Sequence, residues 1–179
     1  VLAYVFWHAP RNATEPAAYV AALLNFHAAL AAAPPAGFLR SFSTRTSRLP
    51  WLDADSAYED WYLIAGSAAL DSLDNAAVDA RRRGAHDVAA GDARVGAGGL
   101  YRLVHGEPLI PSETAWFAKP DGTGYADFAS TLESVKRHGV TLWQRQMVLG
   151  PAPEYALQMR AALDAIGGVR VEHAELARY

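Results

Sequence analysis

The tetrapeptide AALD stands at Ala68–Asp71 and again at Ala161–Asp164, and each copy occupies the same place in a longer repeated pattern. Leu2-Ala-Tyr-Val-Phe-Trp-His8 is rich in aromatic and β-branched residues and stops at Ala9-Pro10, so it reads as a strand. Tyr19, Ala22, Leu23, Phe26 and Leu30 then form one apolar stripe at helical spacing, ended by Pro34-Pro35 and Gly37. Thr114–Ala118 is a second strand-like run, and Tyr125, Phe128, Ala129, Leu132 and Val135 make a second stripe ended by Gly139. Gly37–Thr44 matches Gly139–Gln146, and Glu59–Leu63 matches Pro153–Leu157, both as strands. AALD then opens a helix in each copy, and Gly99–Val104 and Val169–His173 close them as strands. The order β-α-β-β-α-β twice over is a strong constraint on what this chain can fold into.

The two copies differ where insertions are easiest. The first carries an extra loop, Arg45–Ala57, and a longer tail after its second helix. The reading is therefore an α+β chain of two tandem ferredoxin-like repeats, residues 1–110 and 111–179, packed sheet to sheet as a single-chain pseudo-dimeric barrel. This order resembles the dimeric α+β barrel superfamily. That superfamily includes antibiotic-biosynthesis-type monooxygenases, haem-degrading monooxygenases, chlorite-dismutase relatives, and EthD-like and NIPSNAP-like proteins. The resemblance covers nearly the whole chain and lies in element order and helix stripes. No catalytic motif of one family matches. Asn25, Trp61 and His86 are present, but no family role is carried onto them.

The resemblance implies a cavity between two sheets. Residues in a strand alternate between faces, so Leu2, Tyr4, Phe6 and His8 form one set and Ala3, Val5 and Trp7 the other. The polar-tipped set is taken as the cavity side, although a slip of one residue would reverse it. Tyr4, Phe6, Tyr101, Trp116 and Trp143 are the expected ligand contacts, since aromatics with a few polar groups make a small-molecule pocket. His8, Arg40, Asp60, Arg145 and Glu154 are the candidate catalytic residues. His8 ends the first strand and could act as a general base. Asp60 and Glu154 align between the copies, either as an acid–base pair or as ion-pair partners of Arg40 and Arg145. His27 lies beside the first helical stripe and His138 at a helix end, and both read as structural.

Composition removes several classes of function. There are no cysteines, so disulfides, thiolate catalysis and cysteine metal sites are excluded. No HExxH, facial triad or calcium loop occurs, and no metal site is expected. The net charge of −3 is dispersed, and Arg81-Arg82-Arg83 reads as a solvated helix end, so no nucleic-acid partner is expected. Gly96-Ala-Gly-Gly99 runs into a strand and lacks the following helix of a phosphate loop. No apolar stretch is long enough to span a membrane and no signal-like segment is visible, which gives a cytoplasmic expectation.

Two functions compete. One is a cofactor-independent monooxygenase- or isomerase-like enzyme acting on a small, partly aromatic molecule. The other is a non-catalytic ligand-binding or stress-related module. No cofactor is expected; a haem protein, resting on His86 and the polar strands, stays open as a third reading. A homodimer through sheet edges is also left open, with Trp51 in the Arg45–Ala57 loop as an interface anchor, a lid residue, or a side chain tucked against the core.

Overall fold

A computed structural model describes residues 1–136, 139–147, 150–160 and 168–179. Its first half runs β1 (Leu2–Pro10), α1 (Pro16–Ala32), β2 (Phe38–Thr46), β3 (Ala57–Ile64), α2 (Leu70–Val78), α3 (Arg83–Asp92) and β4 (Ala93–His105). The second runs β5 (Glu113–Phe117), α4 (Tyr125–Leu132), β6 (Val140–Arg145), β7 (Tyr155–Met159) and β8 (Val169–Arg178). The second AALD, at 161–164, and His138 lie outside the described residues.

The strands form one closed antiparallel barrel in the order β1-β3-β2-β8-β5-β7-β6-β4, with β4 pairing back to β1. This corrects the expected architecture. Two ferredoxin-like sheets packed face to face, as in the dimeric α+β barrel superfamily, do not form. The strands before and after residue 110 are instead joined edge to edge, by the β2–β8 and β4–β6 ladders, into a single sheet. Hydrogen bonding drives that outcome. Stacked open sheets would leave four unpaired edges, and closure pairs all of them.

An eight-stranded barrel has an interior just wide enough for side chains to fill. Here it is filled. Trp7, Trp61, Trp116 and Trp143 are fully buried inside it, with Tyr101 and Phe42. Trp51 packs on the cluster from the loop between β2 and β3, with its ring centroid 5.7 Å from Trp7 and 5.5 Å from Trp116. All five tryptophans of the chain therefore share one core. The place of the expected cavity between sheets is taken, among the described residues, by indole rings at edge-to-face and tilted angles. The 47–56 loop contributes buried Leu49 and Leu52 to the same core, so Trp51 is tucked in.

A carboxyl group sits among the tryptophans. Glu59 is fully buried, and its carboxyl oxygens accept the indole N–H of Trp7 at 2.7 Å and of Trp61 at 2.6 Å. His173 Nδ1 lies 3.8 Å from Glu59 and 3.0 Å from Thr44 Oγ1, and its Nε2 is 2.9 Å from Thr114 Oγ1. These contacts tie β1, β3, β2, β8 and β5 together across the β2–β8 seam. Burial pushes Glu59 up to about 7, against the pull of the two indole bonds, and pushes His173 down to about 3.

Outside the barrel, α1 lays Tyr19, Leu23, Phe26 and Leu30 against Tyr58 and Tyr62 of β3, and α2 and α3 close over its flank. Phe128 and Leu132 of α4 cover Phe117, Leu142, Tyr155 and Leu157 on the opposite half. Among the described residues no helix is long and apolar enough to cross a membrane.

Two outcomes follow for stability. Trp116→Ala should cost about 3–5 kcal/mol in urea unfolding, as expected for a large buried ring whose site cannot collapse. Glu59 has a raised folded pKa, so its contribution is fully present below its ordinary value of 4.5 and is lost as pH rises through about 7. The wild type should therefore lose up to about 3 kcal/mol over that window relative to Glu59→Gln, measured as the difference between the two unfolding curves at each pH.

Candidate functional site

The alternation of β1 puts Ala3, Val5 and Trp7 in the barrel and leaves Tyr4, Phe6 and His8 on the outer face, under the helices. On β3, Glu59 and Trp61 face in while Asp60 and Tyr62 face out. In the β1–β3 ladder Phe6 pairs with Asp60 and His8 with Tyr58, so His8 and Asp60 are diagonal neighbours. That spacing is within reach of a long side chain. His8 Nε2 lies 3.1 Å from Asp60 Oδ2, and both residues are almost fully buried.

Helix α1 completes the group. Pro16 at its first turn and an alanine-rich body favour the helix, and its buried stripe carries two polar residues. Tyr19 brings its hydroxyl to 2.6 Å from His8 Nδ1. Two turns on, His27 places Nε2 3.3 Å from Asp60 Oδ1, an ion-pair contact without hydrogen-bond alignment, and Nδ1 2.7 Å from Ser41 Oγ. Tyr62 donates its hydroxyl to Asp60 Oδ2 at 3.2 Å. Burial by itself would raise Asp60, but attraction to His8 and His27, together with the His8 hydrogen bond, outweighs it and holds the carboxyl far below the usual range. Burial, reinforced by Asp60, Tyr58 and Asp92, keeps the Tyr19 hydroxyl well above its ordinary value, so it remains a phenol.

Ionised Asp60 accepts only, so the proton on Nε2 of His8 points at it. With its single proton on Nε2, the ring leaves Nδ1 as an acceptor for the Tyr19 hydroxyl. Together these groups form a continuous polar chain, Tyr19–His8–Asp60, with Tyr19 and His8 on the wall of a cavity of about 570 Å³. The cavity lies between the outer barrel face and α1, α2 and α3. Its floor is aromatic: Tyr4 stacks near Phe6 and Tyr62, and Phe6 lies 5.0 Å from the His8 ring. Leu23, Phe26, Leu73 and Ala89 supply apolar walls.

The glycine-rich run of β4 acquires a role here. A Cβ at Gly96 would lie 2.6 Å from the Phe6 ring, and one at Gly98 would lie 2.8 Å from the Tyr4 hydroxyl. The missing side chains let both rings lie across β4 and shape the floor.

The structure brings together four of the expected residues, Tyr4, Phe6, His8 and Asp60, on a face opposite to the barrel interior. Tyr101, Trp116 and Trp143 are inside the barrel, in its packed core. The Arg40 guanidinium donates to the Pro108 carbonyl, and that of Arg145 donates to the carbonyls of Gly150 at 3.2 Å and Ala152 at 2.6 Å. Glu154 directly precedes β7, which three strands separate from β3 in either direction, so it does not pair with Asp60. His86 lines the cavity, with its ring 5.4 Å from Phe26. Tyr19, His27 and Glu59 were not among the expected site residues. His27 was legible: with Leu23 four residues before and Leu30 three after, it lies within the buried stripe. Among the described residues no group of three or more His, Asp or Glu is arranged to hold a metal.

No family model matches the chain, and no curated protein matches it. Solved structures do. A candidate monooxygenase from Fusobacterium nucleatum superposes with a TM-score of 0.63 at 14% identity, covering 99% of this chain and 93% of that one. A candidate monooxygenase from Lactobacillus acidophilus gives 0.57 at 10% identity, covering 99% and 95%. At these identities the likeness is one of fold.

Asp60→Asn should cost about 3–5 kcal/mol at neutral pH, because it removes the charge that two buried histidines face. A depressed carboxyl contributes stability above its ordinary value of 3.8 and loses it as pH falls through the folded value. The gap between wild type and variant in urea unfolding should therefore narrow below about pH 4.

Proposed function

We propose that the cavity under α1 binds a small, largely apolar, partly aromatic molecule, and that Tyr19, His8 and Asp60 move a proton on it. The observation that carries this reading is the position of His8. It joins a buried carboxylate on one ring nitrogen and a buried phenol of the cavity wall on the other. A base so placed, in an apolar site of a size that suits a small organic ligand, fits acid–base chemistry better than simple packing.

The steps need only groups present in the chain. A weakly acidic O–H or C–H of the ligand gives its proton to the Tyr19 oxygen as the Tyr19 proton passes to His8 Nδ1. Asp60 stabilises the imidazolium that forms. Reversing the relay returns the proton, to the same atom or to a different one, and the second case is an isomerisation. A carbanion formed in this way can also reduce O2, the ligand itself supplying the electrons: C–O bond formation and protonation give a hydroperoxide, which loses water to leave a carbonyl. The shared fold with two candidate monooxygenases makes oxygen uptake the second assay to run.

The first assay uses 2-tetralone, an aromatic ketone with exchangeable α-hydrogens. The protein should bind it and speed deuterium incorporation from D2O, followed by NMR. Tyr19→Phe and His8→Gln should each slow that exchange by about a hundredfold or more while binding is retained. Binding without exchange in the wild type would leave the non-catalytic binding module as the function. Absence of binding would end the cavity reading.

A further inference from the structure

The charged groups on the cavity wall are lopsided. Asp60, Asp71 and Asp74 line it, and no lysine or arginine does among the described residues. Asp60 is balanced by its two histidines. Asp71 and Asp74 project from α2 at the mouth, exposed, and neither has an ion-pair partner among the described residues. Among the leucines, alanines and histidines of the remaining wall, Tyr4, Phe6, Phe26 and Tyr62 present ring surface. The faces of such rings attract cations.

From this we infer that the ligand carries a positive charge: an aromatic amine, with its ring on the Tyr4–Phe6 floor and its ammonium toward Asp71 and Asp74. The inference rests on the cavity being a binding site, as proposed above, and adds the chemical class of what binds there. A carboxylate or phosphate would find no guanidinium or ammonium to pair with, and would meet two acids at the mouth. A neutral ring would gain the apolar burial but neither the carboxylates nor the cation–π contact. The field at the mouth is also sensed by Tyr4, whose hydroxyl is raised by burial and by Asp74. An ammonium held there leaves the other end of the molecule free to reach Tyr19 and His8.

Three probes of one shape test this: 2-naphthylmethylamine, 2-naphthalenemethanol and 2-naphthoate, titrated into the full chain at neutral pH and low salt by calorimetry. The amine should bind roughly tenfold more tightly than the alcohol, and the carboxylate more weakly than either. Added salt should reduce the amine's advantage and leave the alcohol unchanged. In Asp71→Asn/Asp74→Asn, with both changes on an exposed helix face, amine affinity should fall toward that of the alcohol while alcohol affinity holds. If the alcohol binds and the amine does not exceed it, or the carboxylate binds most tightly, the charge inference is overturned and the cavity reading stands. Equal loss of amine and alcohol binding in the double variant overturns it too. If none of the three binds, the cavity reading falls and this inference with it.

Discussion

The closure of the sheet is the constraint on which the rest depends. The barrel is sealed at two seams, and the β2–β8 seam is braced from inside by Glu59, His173, Thr44 and Thr114. Because it is closed, every strand has one face in a space too narrow for anything but side chains and one face that must be covered from outside. Tryptophans fill the first, and helices cover the second. The cavity exists because α1, α2 and α3 stand away from the barrel over the outer face of β1 and β3.

Adjacent acids on β3 show how far the two faces differ. Glu59 and Asp60 are neighbours in sequence, yet the pleat sends them to opposite sides of the wall. Glu59 enters the tryptophan core, where burial outweighs two indole hydrogen bonds and raises it to about 7. Asp60 enters a polar pocket of two histidines and a tyrosine, where attraction outweighs burial and lowers it. The first is a structural brace. The second holds the His8 ring at the cavity wall.

Much of the element pattern was legible from the residues. The strand at Leu2, the α1 stripe from Tyr19 to Leu30, and the strand pairs that follow can be placed by periodicity, because strand and helix differ in the repeat of their apolar positions. The alternating set Tyr4, Phe6 and His8 was legible as a unit for the same reason. Its direction was not. Periodicity defines which residues share a face and is silent on which face meets a neighbour. The set therefore belongs to a pocket under the helices and not to a space between sheets. Arg40, Arg145 and Glu154 shared a pattern with Asp60 in sequence and share no site with it in space.

The sequence by itself determined the local elements, the absence of thiol chemistry, and the grouping of aromatic residues on alternate positions. These follow from backbone periodicity and side-chain chemistry, which act over a few residues. Tertiary structure decided that the strands form one closed barrel, that its interior is packed, and that His8, Tyr19, His27 and Asp60 meet. Those facts depend on which strand edges pair and how a helix rotates onto a sheet. The contacts join residues 11 to 52 positions apart, and no local pattern records them.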